Sequence, residues 1–374
     1  MAEWLEKTLG EVTAFIAKGI PPKYTEEENE NTIRVLNQKC NRNFEISYNE
    51  SRIHDCEKKK VPVDKMLRAG DVLINSTGTG TAGRVAQMVE VTVPTTIDGH
   101  MILIRPSEEL DPIYYGYAVK SFQSQIEGLA EGSTGQTEIN RRRLQDEVII
   151  RYPSDKLLQK NIGSFLANID EKIKTNKEIN NNLEQQAALL FDENYSNNNY
   201  NISTLEAVAT IKYGKGLPTK KLTAQGFPVF GGNGVIGRYT HFMYEEPQVL
   251  VSCRGAASGK IMESYPNSFV TNNSLILEWN DYRYYEFYKQ FLLANPLNSY
   301  ATGSAQPQIT IDNIKNVPIP YPNYDEISEL CLTLRSISSL HYENVIENNK
   351  LANLRDTLLP HLMSGELDVS GIDR

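Results

Sequence analysis

One phrase in the sequence has the spacing to hold a phosphate. Gly78-Thr79-Gly80-Thr81-Ala82-Gly83 fits G-x-G-x-x-G and follows the apolar run Val72-Leu73-Ile74. In a dinucleotide-binding enzyme such a loop opens a helix, whose first amides receive the phosphates. Here the residues that follow, Arg84 to Val91, alternate and are β-branched. The loop is therefore expected to join two strands, with glycine supplying positive φ in the turn. Lys59-Lys60 lies in no P-loop. The histidines at 54, 100, 241, 341 and 361 have no metal-ligand spacing, and Cys40, Cys56, Cys253 and Cys331 form no C-x-x-C pair. No Asn-Pro-Pro-aromatic or Asp-Pro-Pro-aromatic tetrapeptide of an amino-methyltransferase occurs. No catalytic residue, cofactor or metal is expected in this chain.

A second kind of chemistry is base reading, which needs forked donors and amides: Arg for guanine, Gln or Asn for adenine. Such residues sit in two pairs of turns. Thr77, Thr79 and Arg84 stand against Arg254, Ser258 and Lys260. Thr134 and Gln136, followed by Arg141, Arg142 and Arg143, stand against Ser304, Gln306 and Gln308. Lys212, Lys215, Lys220 and Lys221 suit phosphate contacts, which position a protein without specifying sequence. Two blander readings stand beside these. Gln136 and Gln306 also fit a role stitching loops to a sheet, and Arg141 to Arg143 also fit a solvated helix face. The net charge of −9 opposes nucleic-acid binding. Its distribution softens the objection: residues 197–322 carry 10 basic and 8 acidic side chains, whereas 323–374 carry 4 and 9. A globally acidic protein can still present a basic face.

The elements that must position these residues repeat. Thr8-Leu9-x-x-Val12 and Lys18-Gly19-Ile20-Pro21 are answered by Thr204-Leu205-x-x-Val208 and Lys215-Gly216-Leu217-Pro218. Val72-Leu73-Ile74 is answered by Val249-Leu250-Val251, and Gly83-Arg84-Val85 by Gly259-Lys260-Ile261. Met101-Ile102-Leu103 matches Leu275-Ile276-Leu277, and Tyr114-Tyr115 matches Tyr284-Tyr285. Gly132-Ser133 matches Gly303-Ser304, and each half closes on Tyr-Pro, at Tyr152-Pro153 and Tyr321-Pro322. The order is kept throughout, so the chain is read as a tandem duplication. The first half is longer through an insertion between about Tyr24 and Ala69.

A helical segment follows each Tyr-Pro. Seven-residue spacing picks out Ile162, Ile169, Asn176, Leu183 and Leu190, then Leu330, Ile337, Asn344, Leu351 and Leu358, at a constant offset of 168. The companion positions include Leu166, Ile173, Asn180, Leu334 and Asn348. This is a coiled-coil seam over about four heptads. No proline interrupts Leu157 to Asn194, and a helix of about 35 residues there would span roughly 50 Å at ~1.5 Å per residue. Buried Asn needs a partner amide and fixes register. The seam therefore predicts antiparallel pairing, Asn176 and Asn180 against Asn344 and Asn348. A hydrated, frayed seam and pairing between two chains are the alternatives. The expected fold is mixed α+β. Globular domains at 1–153 and 197–322 alternate with long helices at 154–196 and 323–374, with Asp192 to Asn201 as a polar linker. No apolar run approaches the ~18 residues of a membrane span. The acidic start, Met1 to Ile20, does not read as a signal peptide. A cytoplasmic protein is expected.

This organisation resembles the specificity subunits of type I restriction–modification systems. The local phrases agree: Val35-Leu36-Asn37-Gln38-Lys39-Cys40, Val229-Phe230-Gly231-Gly232-Asn233-Gly234-Val235-Ile236-Gly237, and Leu358-Leu359-Pro360-His361-Leu362-Met363-Ser364-Gly365-Glu366-Leu367. So do Gly132 to Gln136 and Gly303 to Ile309. The resemblance spans essentially the whole chain. It implies two target recognition domains, each reading one half of an interrupted duplex DNA site, with the helices as spacer. It also implies two docked methyltransferase subunits that supply S-adenosylmethionine chemistry, a motor–nuclease subunit as a further partner, and no catalysis in this chain. The unequal halves point to an asymmetric target. A pure protein-interaction scaffold and an enzyme built on the Gly78 loop are the rival readings.

Overall fold

The computed structural model describes residues 3–132, 137–303 and 306–367. It forms two compact units, Met1–Ile173 with Asn349–Arg374, and Lys174–Asn348. Each unit thus takes one globular part and a portion of both long helices, a grouping that cuts across the four segments read along the chain.

The first unit is built on an antiparallel sheet ordered Thr13–Lys18, Met101–Pro106, Val72–Asn75, Val85–Gln87. Its two middle strands are apolar on both faces, which requires cover on both. Side chains alternate across the pleat. Val72, Ile74, Ile102 and Ile104 enter a core with Tyr114, Tyr115 and Ala118 of the helix Pro112–Ser121. Leu73, Met101 and Leu103 enter a smaller core with Leu36, Cys40 and Ile97. That second face is covered by a mixed sheet in which Thr32–Leu36 pairs parallel with Thr95–Ile97 and antiparallel with Arg52–Asp55.

The second unit repeats the plan. Its sheet runs Ala209–Tyr213, Ser274–Trp279, Val249–Ser252, Ile261–Glu263. Val249, Val251, Leu275 and Leu277 face one core and Leu250 and Ile276 the other. Phe227–Gly231 pairs parallel with Phe269–Val270. An antiparallel strand pair closes each half: Trp4–Thr8 with Ile149–Pro153, and Asn201–Thr204 with Pro318–Tyr321. The insertion lies mostly in residues 37–51, which connect two strands that the second unit joins through Gly232 and Asn233. Phe44 of this insertion holds φ of 65°, a region costly for a non-glycine residue. It is fixed there by packing 5.1 Å from the ring of Tyr117, with the Lys120 ammonium 4.3 Å from its own ring.

The two long helices, Lys156–Ser196 and Tyr324–Ser364, have 41 residues each. In the first unit Ile162 and Leu166 share a core with Leu359 and Leu362, with Leu358 packed beside them, and Ile169 and Ile173 are buried. Arg355 pairs with Asp170 there. In the second unit Asn176 donates to Asn348 Oδ1 at 3.0 Å and to Glu347 at 2.7 Å. Asn344 donates to Asn180 Oδ1 at 2.8 Å, and Asn180 donates to the His341 carbonyl at 3.1 Å. As one member of each pair advances the other retreats, so the pairing is antiparallel and within one chain. Leu183, Ile337 and Leu351 are half-buried. Leu190 departs from the seam: it is 38% exposed, while Ala187 and Phe191 are buried. Leu330 likewise yields the interior to Ile327, Cys331 and Leu334. A 3.6-residue turn drifts against a seven-residue repeat, and here the body of the second unit sets the buried face. Asp192 to Asn201 is not a loose linker. It is helical to Ser196; the Tyr195 ring lies 5.5 Å from Phe191 and 5.8 Å from Tyr200, and Phe191 and Tyr200 lie 5.3 and 5.5 Å from Phe287.

Two stability measurements follow from these contacts. Asn180→Ala strands the Asn344 amide and is expected to cost about 1–3 kcal/mol in urea unfolding. Asn180→Leu with Asn344→Leu removes both partners and is expected to be neutral or stabilising. Lys120 is a second case. Burial pushes its pKa down from 10.5 to about 8. Below pH 8 both folded and unfolded chains carry the proton, and the full burial penalty applies. Between pH 8 and 10.5 only the unfolded chain binds it, so stability rises with pH. Lys120→Met is expected to stabilise by on the order of 2–3 kcal/mol at pH 7, with the gain fading as pH approaches 10.5.

Candidate DNA interface

In each unit a hairpin of the central sheet, one inner strand and the edge strand beside it, turns through a loop that glycine shapes. In the first, Gly83 N donates to Asn75 O at 2.8 Å and Asn75 N to Arg84 O at 3.0 Å. In the second, Gly259 N donates to Ser252 O at 2.8 Å and Ser252 N to Lys260 O at 2.9 Å. Gly83 and Gly259 have φ of 90° and 92°, and a Cβ on either would strike backbone of Glu127 or Asn298. A strand, not a helix, follows each loop, so the Gly78 phrase is a nine-residue hairpin connection, Ser76 to Arg84. It presents no helix N-terminus to a phosphate.

The structure joins the two sets of candidate turns that the sequence kept apart. Ile139 N donates to Ser76 O at 2.8 Å, and Ile309 N to Cys253 O at 3.1 Å. Thr77 thereby bridges Glu138, and Arg254 bridges Gln308, in equivalent places. Arg254, Gln306 and Gln308 are exposed, and the Arg254 guanidinium has no hydrogen bond or ion pair among the described residues. Thr79 is exposed as well. Thr134, Gln136 and Ser304 lie outside the described residues.

Other candidates are committed within the protein. Ser258 is buried and donates to Pro307 O at 2.8 Å, tying the two loops together. Arg84 donates to Gly80 O of its own loop at 2.9 Å. Lys260 reaches Asn233 Oδ1 at 2.9 Å, which brings the Gly-Gly-Asn-Gly turn to the same edge. Thr77 Oγ1 meets His100 Nδ1 at 2.9 Å. The short helix Arg141–Glu147 starts at Asn140, whose side chain accepts from Arg142 N at 2.9 Å. Arg143 is locked to Glu147 and Glu131, and Arg142 lies 3.6 Å from Asp146, whereas exposed Arg141 has no ion pair among the described residues. Lys212 pairs with Glu278 at 2.6 Å. Lys215 is exposed, and Lys220 and Lys221 are exposed on the single turn Thr219–Lys221. Sequence reasoning missed Asn41, buried in the insertion, whose amide donates to Arg84 O at 2.9 Å and braces the loop from behind. It also missed His100 and Asn233; only Asn233, inside a quoted glycine-rich phrase, gave a signal.

Among the described residues there is no group of three or more potential metal ligands, and no helix is long and apolar enough to cross a membrane. The model of the family described as type I restriction modification DNA specificity domain matches residues 1–185 and again 197–340. The chain belongs to this family. As a specificity subunit it supplies DNA-sequence specificity and is not itself catalytic. Its fold is shared by the type I restriction–modification S subunit from M. genitalium, at TM-score 0.61 and 19% identity over 96% of both chains. A chain from a type I R-M system studied for complex assembly and conformational transition aligns over 98% of this chain and 100% of its own, at 14% identity and TM-score 0.46. The HsdS subunit from Thermoanaerobacter tengcongensis aligns over 97% of both chains, at 15% identity and TM-score 0.37. No curated protein sequence matches the chain.

The exposed groups of the specificity subunit divide into two expected behaviours. Arg254→Ala should cost about 1–3 kcal/mol on the preferred sequence and relax preference at one base position. Lys220→Ala with Lys221→Ala should weaken binding alike on all sequences and lower the slope of log K against log salt by about 0.9 per lost phosphate contact. Salt-titrated binding to specific and scrambled duplexes separates the two.

Proposed function

We propose that the subunit reads an interrupted, two-part duplex sequence, one part with the loops of each unit, and that the paired helices set the gap between the parts. The observation that carries this is the duplication: the specificity-domain model matches twice in succession, and each copy builds the same sheet and the same loop edge. Residues at equivalent places differ in chemistry, Thr77 with Glu138 against Arg254 with Gln308. Different readers at equivalent places suit a target whose halves differ in base sequence. Phosphate contacts from lysine and Arg141 would position each half without specifying it.

In this reading the subunit acts in the cytoplasm within an assembly. Two methyltransferase subunits dock on it and carry the S-adenosylmethionine and the transfer chemistry, and motor–nuclease subunits are a further partner. This chain contributes no cofactor site. The test is modified-base sequencing of host DNA with and without the gene, its methyltransferase partner expressed throughout. Loss of methylation at one interrupted motif is the expected result. Unchanged methylation refutes the reading and favours a protein scaffold. Inserting one helical turn into each long helix should change the gap in the methylated motif and leave its two specified parts intact; an unaltered gap would remove the spacer role.

A further inference from the structure

The second unit contains a cavity of about 990 Å³ that DNA reading does not use. Its walls come from both long helices, at Leu183 to Asp192 and Arg335 to Tyr342, from the helix Tyr285–Ala294, and from the chain around Pro247 and Tyr265, all within that unit. Five carboxylates line it: Glu184, Asp192, Glu246, Glu263 and Glu286. Lys289 is spent on two of them, 2.7 Å from Glu286 and 3.1 Å from Glu263. Glu184 faces His341 Nε2 at 3.0 Å. The carboxylates of Glu246 and Asp192 have no partner among the described residues, and Arg335 is the one further cation in the wall. Three tyrosines also line the space. Tyr265 and Tyr342 lie 5.6 Å apart, Tyr282 stands near Arg335, and none of their hydroxyls makes a hydrogen bond among the described residues. Gln290 is only 8% exposed, and its amide, on the cavity wall, has no hydrogen-bond partner among the described residues.

The first unit fills the equivalent place with its own chain. Aligning Tyr114-Tyr115 with Tyr284-Tyr285 puts Lys120 where Gln290 stands. The Lys120 ammonium lies 4.3 Å from the Phe44 ring and 5.7 Å from the Tyr117 ring, with no hydrogen bond. Phe44 belongs to residues 37–51, the segment that the second unit replaces with Gly232 and Asn233. At this position the first unit places an ammonium against an aromatic ring, whereas the second has the neutral Gln290 amide beside open space, its nearby Lys289 ammonium being held by Glu263 and Glu286 and lying 5.6 Å from the Tyr285 ring.

We propose that this cavity binds a linear aliphatic polyamine. A phosphate-bearing ligand would meet an excess of carboxylates. A neutral apolar ligand would leave Gln290, the hydroxyls and two carboxylates desolvated without partners. A metal ion needs converging ligands, and among the described residues no three gather. Carboxylates spread around a large cavity are matched instead by amines spread along a flexible chain. Each ammonium donates to a carboxylate, a tyrosine hydroxyl or the Gln290 carbonyl, and the tyrosine faces attract its charge. Because the walls belong to both long helices and to the body of the unit, occupancy stabilises the folded unit by mass action.

The experiment is isothermal titration of the full chain with spermidine, free of DNA and at physiological salt, with magnesium as an ionic control. One saturable site is expected, absent with magnesium. It should weaken about tenfold in Glu246→Gln and in Tyr265→Ala, and stay unchanged in Glu245→Gln, one residue away. Thermal unfolding of each variant without ligand shows that it is folded, and spermidine should raise the midpoint of the parent chain more than that of Glu246→Gln. Absence of saturable heat into the millimolar range overturns the proposal. So does equal binding by parent and Glu246→Gln, or an equal response to magnesium. A lysine-bearing peptide that binds there while spermidine does not would reassign the cavity to a protein partner and overturn it likewise.

Discussion

The inner strands of both central sheets have no polar face to give to water. Val72–Asn75 is buried throughout, as is Val249–Ser252, and their neighbours from Met101 and Ser274 begin with four buried residues each. A sheet of this kind must be covered on both sides. In each unit a tyrosine-rich helix and the long helices cover one side, and a smaller mixed sheet covers the other. What remains accessible is the strand ends. The hairpin loops at Ser76 to Arg84 and Cys253 to Lys260 are therefore where side chains can vary without disturbing a core, and glycines at fixed positive φ keep those loops close to the sheet. The candidate reading residues sit there for the same reason that the strands are apolar.

The helix pair answers a different constraint. Leucine throughout the seam would be more stable but would tolerate sliding, since one apolar layer substitutes for another. Asn176 and Asn180 are buried, and across the helix pair Asn176 bonds Asn348 and Glu347 while Asn180 bonds Asn344 and the His341 carbonyl. A register shift would strand them, at about 1–3 kcal/mol for each unsatisfied group. The buried amides fix a unique register at some loss of stability. The ionic contacts of Arg355 with Asp170, and of His341 with Glu184, add polar constraints on the same pairing.

The duplication did not leave two identical halves. The insertion at 37–51 braces the first loop through Asn41 and places Phe44 over Tyr117 and Lys120. The second unit lacks it, keeps a shorter turn at Gly232 and Asn233, and ties that turn to the Cys253 to Lys260 loop through Lys260. Overall acidity is compatible with DNA reading because a globally acidic chain can still expose basic side chains locally. Glu278 neutralises Lys212, and Glu131 and Glu147 neutralise Arg143, whereas Arg254, Lys220, Lys221 and Arg141 remain exposed.

The sequence by itself determined the duplication, the class of fold, the two long helices and the pairing of their asparagines. These are set by local pattern: period two in the strands, period seven in the helices, glycine where the backbone needs positive φ. It also determined that the Gly78 phrase leads into a strand, because alternation follows it. Tertiary structure alone decided three things. It moved the buried face of the helices to Phe191 and Cys331 where they meet the second body, against the heptad positions Leu190 and Leu330, because a helix buries whichever side its neighbours reach. It drew Asp192 to Tyr200 out of linker status, because aromatic residues in a polar stretch found a core in Phe287 and Phe291. It also sorted the candidate readers into committed and exposed, Ser258 and Arg143 against Arg254 and Arg141. Residue type shows what a side chain can bond, but partners distant in sequence decide whether that capacity is already used.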